Sequence, residues 1–344
     1  MMMTSKRGFW ATVGVALSLG SPALADSVSD FYKGRTVEII VGAGAGGGYD
    51  ANGRLVARHF GRFIPGAPTV LVTNMPGGGG ITAANVLYNV SAKEGLVLGT
   101  FSNSMLTEPL LGTEAIKFDP SKFTWLGSVS REDGVCVTTA ASGVKQWSEA
   151  LAKETIAGTT APGTTTYVYP TLLNRMFGAK FKLVTGYPDG SSIILALERG
   201  ELQTVCQTYS SLNISHPDWI PQKKVYPILS MGLGRNPDVP DVPSVMEIAR
   251  SDVERQMLKI ILTPTIAGRP LTAPPGIPAE RADALRTAFM AMVKDQAFLD
   301  DAKKSRIEVQ PTSGTDIDAL VRDIFASPKA TIDQVRSFVS PAGK

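Results

Sequence analysis

Histidine and cysteine are both scarce, with two of each among the 344 residues. Neither His59 nor His216 has a cysteine or acidic partner at the spacing of a metal site, so no bound metal is predicted. The motifs G-x-S-x-G, H-E-x-x-H, C-x-x-C and G-x-x-x-x-G-K-[ST] do not occur, and the carboxylates are scattered. These absences argue against an enzyme, and we predict no cofactor.

The sequence also lacks an apolar run long enough to cross a membrane, which needs about 20 residues. An uncharged run at residues 8–19 follows Lys6 and Arg7 and precedes a segment of small residues that ends at Ala25. This order is typical of a secretory signal. We therefore predict a signal peptide at residues 1–25 and an exported mature protein.

An excess of charge of either sign is missing as well. The formal net charge is +3, and two of these charges belong to Lys6 and Arg7 of the predicted signal. A nearly neutral mature surface gives no indication of nucleic-acid binding. The length of the chain suggests two domains.

Glycine is abundant in one short stretch, where it occupies five of the seven positions from 42 to 48. The preceding residues 36–41 predict a buried strand, and the following residues predict a helix with Asp50 as its N-cap. Main-chain N–H groups in such a loop can face a ligand, and a helix start favours negative charge. We expect an anion to bind here; a plain connecting turn is the alternative.

The same pattern then recurs along the chain. Strand 69–73 leads through the glycine-rich loop 74–80 to a helix, and strand 97–101 ends in Ser102, Asn103 and Ser104. Parallel strands present their carboxyl ends at one edge of a sheet, where α/β proteins bind ligands. The three loops are therefore expected to converge on one site.

A dinucleotide-dependent oxidoreductase is a remote alternative, because residues 42–47 satisfy the G-x-G-x-x-G fingerprint after a strand. Such a site needs an acidic residue about 20 residues further on, at the end of the second strand, to bind the ribose. This strand ends in Thr73 and Asn74, and the next acid after Asp50 is Glu94. The pattern therefore disfavours the dinucleotide function.

Several motifs in the same order resemble the substrate-binding proteins of tripartite tricarboxylate transporters, the Bug family of periplasmic receptors. The resemblance covers nearly all of the mature chain. Its motifs are the loop and helix at 45–57, the loop 74–80, the strand entry 94–99, the segments 118–120 and 123–127, the Pro-rich run 235–247 and the segment 274–278.

This resemblance implies an α/β, two-lobed periplasmic-binding-protein-like (type II) fold. Each lobe would be a mainly parallel sheet flanked by helices, with the ligand cleft between the lobes. Lobe 1 is expected to contain residues 26–130 plus 251–344, and lobe 2 residues 131–250. Amphipathic stretches at 279–293, 296–304 and 315–339 predict helices that pack against the lobes.

The resemblance also implies a function: a monomeric periplasmic receptor that binds a small organic carboxylate and delivers it to membrane permease subunits. A receptor of the same fold that presents its ligand to a two-component histidine kinase is the alternative. The sequence does not separate these roles, because the surface that contacts the partner is not recognisable.

The candidate ligand-binding residues lie on loops of both lobes. Three consecutive threonines at a helix start exceed what capping requires, which favours ligand contact. The lobe 1 candidates are Gly46, Gly47, Gly48, Tyr49, Asp50, Gly77, Gly78, Gly79, Ser102 and Asn103. The lobe 2 candidates, which would contact the distal end of the ligand, are Thr164, Thr165, Thr166, Tyr167, Asp189, Gly190 and Ser191.

Some of these residues depart from the family pattern. Ala45 stands where many relatives have proline, and Tyr49 stands where threonine is common. The Tyr49 phenol could donate to a carboxylate or stack on an aromatic ring. An ionised Asp189 would disfavour a second carboxylate on the ligand, so an uncharged or hydroxylated tail is expected.

The resemblance bears on the two cysteines too. An exported chain with an even cysteine count can form a disulfide. The family fold places the first strand after the crossover beside the third strand of that lobe, which would bring Cys136 and Cys206 next to each other. A pair of buried thiols in strands is the alternative.

Overall fold

The computed structural model describes residues 27–339, so the predicted signal peptide lies outside the described residues. Within this range the chain forms eleven strands. They are β1 (Thr36–Val41), β2 (Thr69–Asn74), β3 (Val97–Thr100), β4 (Thr124–Ser128), β5 (Gly134–Thr139), β6 (Thr155–Gly158), β7 (Phe181–Val184), β8 (Thr204–Thr208), β9 (Val225–Met231), β10 (Pro270–Ala273) and β11 (Thr312–Ser313).

The helices of the described chain surround these strands. They are α1 (Val28–Tyr32), α2 (Gly48–Phe60), α3 (Ile81–Asn89), α4 (Glu108–Leu111), α5 (Trp147–Ala150), α6 (Thr165–Phe177), α7 (Gly190–Glu198), α8 (Tyr209–Ser215), α9 (Val245–Ile248), α10 (Asp252–Leu262), α11 (Pro264–Ala267), α12 (Ala279–Met292), α13 (Gln296–Lys304), α14 (Gly314–Phe325) and α15 (Lys329–Val339).

The strands form two separate sheets, in agreement with the two predicted lobes. The first sheet has the order β11-β4-β10-β3-β1-β2, and the second has the order β7-β6-β8-β5-β9. The chain passes from the first sheet to the second between β4 and β5. It returns to the first sheet at β10.

The sheets are mixed, which corrects the expectation of mainly parallel sheets. Strand β1 pairs in parallel with β2 and β3, and β6 pairs in parallel with β7 and β8. The antiparallel pairs all involve β4, β5 or β10. These are the strands by which the chain leaves one sheet and enters the other, and no helical crossover within one sheet sets their direction.

The register of the parallel strands brings the three predicted loops together. Val41, the last residue of β1, lies opposite Asn74 of β2 and Thr100 of β3. The loops that follow these strands therefore leave the sheet at the same edge, as the sequence predicts. In the second sheet, the segments after β6, β7 and β8 also leave from one edge.

Hydrophobic residues cover both faces of each sheet. In β5, Val135 and Val137 pack on one face of the second sheet with Ile193 and Leu212. Cys136 lies between them and contributes to the cluster on the other face, because successive side chains of a strand point to opposite sides. Cys136 lies directly opposite Cys206 of β8, and a disulfide joins them.

Two helices from the range assigned to lobe 1 belong to the hydrophobic core around the second sheet: α15 packs against α6, and α10 packs against α15. Leu258 of α10 and Val335 of α15 belong to the same hydrophobic cluster as the disulfide. Arg336 of α15 also donates a hydrogen bond to the Leu110 carbonyl (2.9 Å). Helix α15 thus contacts elements of both lobes, and the lobe boundaries remain a prediction.

The C-terminal amphipathic stretch 315–339 contains two helices. Residues 326–328 separate α14 from α15, because Pro328 disfavours helical geometry in the residue before it. None of the helices within residues 27–339 is long and apolar enough to span a bilayer.

Replacing both cysteines by alanine should lower the free energy of unfolding by about 2–4 kcal/mol, because the bridge restricts the unfolded chain across a sequence separation of 70 residues. Equilibrium urea unfolding, followed by circular dichroism, measures this difference.

A reducing agent provides the matched control. It should lower the unfolding midpoint of the wild-type protein and leave the double-alanine variant unchanged. A count of two free thiols in unreduced, denatured wild-type protein would contradict the pairing.

Candidate functional site

A cavity of about 90 Å³ lies between the carboxyl edges of the two sheets. Eleven of its lining residues were predicted from the sequence: Gly47, Gly48, Tyr49, Gly79, Ser102, Thr164, Thr165, Thr166, Asp189, Gly190 and Ser191. The candidate loops of both lobes therefore meet at one place.

Six other candidates do not line the cavity: Gly46, Asp50, Gly77, Gly78, Asn103 and Tyr167. Eight lining residues were not among the candidates: Gly42, Ala43, Thr160, Ile194, Gln207, Thr208, Ser211 and Ser215. Four of these eight belong to β8 or α8. The polar residues at the end of β8 and directly after it were the available signal, because β8 runs parallel to β6 and its carboxyl end lies at the same edge of the sheet.

Helix α2 begins at the cavity, and its N-cap is Gly47 rather than the predicted Asp50. No side chain caps this helix. The first main-chain N–H groups of a helix have no partner within the helix, and the residues that carry them here, Gly48 and Tyr49, line the cavity. The start of α2 is therefore a site that favours an anion.

Asp50, one of the predicted ligand contacts, is buried beneath the loop and does not line the cavity. It is 4% exposed and accepts hydrogen bonds from the Gly46 N–H (2.9 Å), Arg54 Nε (3.0 Å) and Asn74 Nδ2 (2.9 Å). Burial alone would raise the Asp50 pKa, but these hydrogen bonds lower it below its usual value. The ionised carboxylate thus fixes the shape of the loop.

The second glycine-rich loop forms a tight left-handed turn before α3. Gly77, Gly78, Gly79 and Gly80 all have positive φ angles, a conformation that residues with a side chain rarely adopt. Gly79 approaches lobe 2 closely: a β-carbon there would lie 2.8 Å from Thr160 Oγ1. Glycine at this position lets the two lobes come into contact.

Lobe 2 contributes the start of α6. Thr164 is its N-cap and makes no side-chain capping bond. The main-chain N–H groups of Thr165 and Thr166 therefore have no partner within the helix either. The threonine hydroxyls bond mainly to one another: Thr160 Oγ1 lies 2.6 Å from Thr164 Oγ1 and 2.9 Å from Thr166 Oγ1. Tyr167 is buried within the same helix.

Hydrogen bonds connect the lobes around the cavity. The Gly44 N–H donates to Asp189 Oδ2 (3.0 Å), and Ser102 Oγ lies 3.3 Å from Thr165 Oγ1. The Gly79 N–H also points to the Pro188 carbonyl at 3.5 Å. The two lobes are therefore in direct contact around the cavity.

Tyr49 presents a protonated phenol at the cavity wall. Its hydroxyl oxygen accepts a hydrogen bond from the Asn103 N–H (3.2 Å), so Asn103 acts through its main chain. Burial raises the Tyr49 pKa, and the nearby Arg269 opposes this increase only in part. The phenol therefore keeps its hydrogen, and Ser102 is a further hydrogen-bond partner of its hydroxyl.

A buried ion pair lies behind the cavity and was missed from the sequence. Arg269 and Glu132 are 1% and 3% exposed, and Arg269 Nε lies 2.8 Å from Glu132 Oε1. The guanidinium also donates to the Gly48 carbonyl and to Ser211 Oγ (3.2 Å). Arg269 thus connects the start of α2 to α8.

No cluster of histidine, cysteine or acidic side chains within residues 27–339 could hold a metal ion. The charged lining residue of the cavity is Asp189, and the described lining contains no lysine, arginine or histidine. Any anion in the cavity would therefore depend on main-chain N–H groups, hydroxyls and the Gln207 amide.

Three solved structures share this fold. The periplasmic binding protein BugD has a TM-score of 0.71 and 19% identity, and the match covers 89% of this chain and 97% of that chain. A protein of R. palustris determined with adipate has a TM-score of 0.70 and 18% identity, with 88% and 97% of the two chains covered. MatC from Rhodopseudomonas palustris with bound malate has a TM-score of 0.68 and 18% identity, with coverage of 89% and 99%.

These similarities confirm the two-lobed periplasmic-binding-protein fold. At such low sequence identity they extend to the fold and not to the ligand. No protein-family model matches the sequence, and no curated protein does.

Replacing Arg269 by methionine should lower the free energy of unfolding by about 3–5 kcal/mol, because Glu132 would remain buried without a counter-charge. Replacing both residues, Arg269→Met with Glu132→Gln, should cost less than the sum of the single changes. Urea unfolding of the four proteins measures this coupling.

The pair Arg235 and Glu247 is the matched control. It has similar geometry, with Nε and Oε1 2.7 Å apart, but the two side chains are 50% and 43% exposed. Arg235→Met should therefore cost less than about 1 kcal/mol. Equal losses at the two arginines, or additive losses at Arg269 and Glu132, would contradict this account of the buried pair.

Proposed function

We propose that this chain is a periplasmic solute receptor of the Bug type, which binds a small organic carboxylate and delivers it to the permease subunits of a tripartite tricarboxylate-type transporter. The signal-like N-terminal sequence, the order of the family motifs and the two-lobed fold support the periplasmic receptor role. The transporter partner follows from the resemblance in sequence motifs.

One observation carries the carboxylate proposal. Helices α2 and α6, each 13 residues long, begin at the same cavity from opposite lobes, and neither start has a side-chain cap. Each such interaction with a carboxylate contributes about 0.3–1 kcal/mol, and more where solvent is excluded. Two such starts cover only part of a micromolar affinity, about −8 kcal/mol, so hydroxyl contacts and burial of the ligand would supply the rest.

The solved structures with adipate and malate support the same chemical class, because both molecules carry carboxylates. We infer that the ligand here is small, since the cavity has a volume of only about 90 Å³. Its carboxylate would lie between the starts of α2 and α6, with the Tyr49 phenol as a further donor.

The dinucleotide alternative is not favoured. The Gly44 N–H, in the middle of the G-x-G-x-x-G sequence, donates to Asp189, so this main-chain group of the fingerprint is not free for a pyrophosphate. Asn74 ends β2, and it binds Asp50 and the Ala43 carbonyl rather than facing the cavity.

A thermal-shift screen of the mature chain against mono-, di- and aromatic carboxylates tests the proposal. At least one carboxylate should raise the melting temperature, and isothermal titration should then give a dissociation constant in the micromolar range. Absence of a shift with every carboxylate, or conversion of a carboxylate into a product, would overturn the proposal.

Gly47→Ala should weaken binding of the best carboxylate from this screen by about tenfold or more, since overpacking of this kind costs about 1–3 kcal/mol. The main-chain φ of −83° at Gly47 suits alanine, but a β-carbon there would lie 2.7 Å from Ser191 Oγ of the other lobe. The loss should therefore arise when the lobes come together around the ligand. Isothermal titration measures it.

Gly234→Ala is the matched control and should bind normally, because a β-carbon at Gly234 meets no atom within 4 Å. Ser191→Ala should reduce the penalty of Gly47→Ala when the two changes are combined. Wild-type affinity in Gly47→Ala would remove this loop from the site.

A further inference from the structure

The wall of the cavity in lobe 2 carries one fixed negative charge. Asp189 is 6% exposed, and both of its oxygens are engaged. Oδ2 accepts from the Gly44 N–H (3.0 Å), while Oδ1 accepts from the Ser192 N–H (2.8 Å) and Ser192 Oγ (3.0 Å). Because this carboxylate is held in place at the lobe contact, a second carboxylate on the ligand would face it at short range.

Gln207 of β8 lies beside this charge. It lines the cavity and is 6% exposed. Its Oε1 lies 3.4 Å from the position of a β-carbon on Gly190, the residue after Asp189. A ligand tail that reaches Gln207 therefore also comes close to Asp189.

The amide of Gln207 has an unused hydrogen-bond donor. Among the lining residues that the structure describes, Gln207 Nε2 is the one fully buried side-chain nitrogen or oxygen without a partner. A buried polar group without a partner is destabilising, and native proteins rarely leave one unpaired. The nearby threonine hydroxyls, in contrast, bond to one another.

We propose that Gln207 binds the distal end of the ligand and that this end is an uncharged hydrogen-bond acceptor. The inference rests on the proposed function, because it takes one carboxylate at the starts of α2 and α6 as given. Gln207 supplies the hydrogen bond to the tail, and Asp189 excludes an anionic tail. The ligand class is then a monocarboxylate with an amide, ester, keto or hydroxyl group at its other end, unlike the dicarboxylates adipate and malate.

Three probes of one chain length test this proposal: adipate, its monoamide and hexanoate. The monoamide and adipate have almost the same shape and differ in the charge of the tail, whereas hexanoate has no acceptor there. Isothermal titration of the wild-type protein should show the monoamide binding at least about tenfold more tightly than adipate and about tenfold more tightly than hexanoate. The monomethyl ester, which has no donor, should also bind more tightly than hexanoate.

Two substitutions separate the two parts of the proposal. Gln207→Leu should remove the preference for the monoamide over hexanoate, because the side-chain donor is lost. Asp189→Asn removes the negative charge and keeps an oxygen that can accept from Ser192. This variant should bind adipate and the monoamide with more similar dissociation constants than the wild-type protein does. The melting temperatures of the ligand-free variants show whether they fold.

The wild-type ranking is decisive even if a variant does not fold. Adipate binding as tightly as the monoamide, or hexanoate binding as tightly as the monoamide, would overturn the proposal and leave carboxylate binding intact. An unchanged ranking in Gln207→Leu would likewise overturn the role of Gln207 and make its amide a structural group. Failure of every carboxylate to bind would reject the proposed function and this inference together.

Discussion

The cavity depends on one electrostatic arrangement, in which the starts of α2 and α6 meet from opposite lobes without side-chain caps. Unpaired main-chain N–H groups in a site shielded from water interact strongly with an anion, because the local dielectric constant is low. Tight glycine-rich loops allow the starts of the two helices to come close to each other. Gly47 and Gly79 leave room for the facing side chains of lobe 2, so the glycine content of these loops serves the contact between the lobes as well as the exposure of main-chain groups.

The charged side chains around the cavity are paired with groups of the protein, so the binding of an anion would depend on main-chain groups. Arg269 is close to the wall, since its guanidinium lies 5.2 Å from the Tyr49 ring, but Glu132 pairs with it behind the cavity. Asp189 binds the Gly44 N–H across the lobe contact. The described lining therefore offers no cation and one anion, Asp189. In the proposed receptor role, this anion and the Gln207 amide would select ligands by the charge and hydrogen bonding of their tails.

The parts of the fold that were predicted correctly depend on local sequence. Alternation of apolar strands with glycine-rich or hydroxyl-rich loops located the cavity wall, because parallel strands place such loops at one edge. Asp50 was misplaced as an N-cap because its side chain has stronger partners in Arg54 and Asn74, one of which is distant in sequence. The pair of Arg269 and Glu132 was missed for the same reason: no local pattern connects residues that meet only through the crossing between lobes. The strand directions at that crossing were mispredicted because they depend on the connection between the lobes rather than on the pattern within each strand.

The most direct measurement follows the main-chain amide signals of ¹⁵N-labelled protein by nuclear magnetic resonance during titration with adipate monoamide. If main-chain groups bind the carboxylate, the amide protons of Gly48, Tyr49, Thr165 and Thr166 should move downfield and saturate together with binding. Saturable binding that leaves these four signals unchanged would contradict the account, because the anion would then be held elsewhere on the protein.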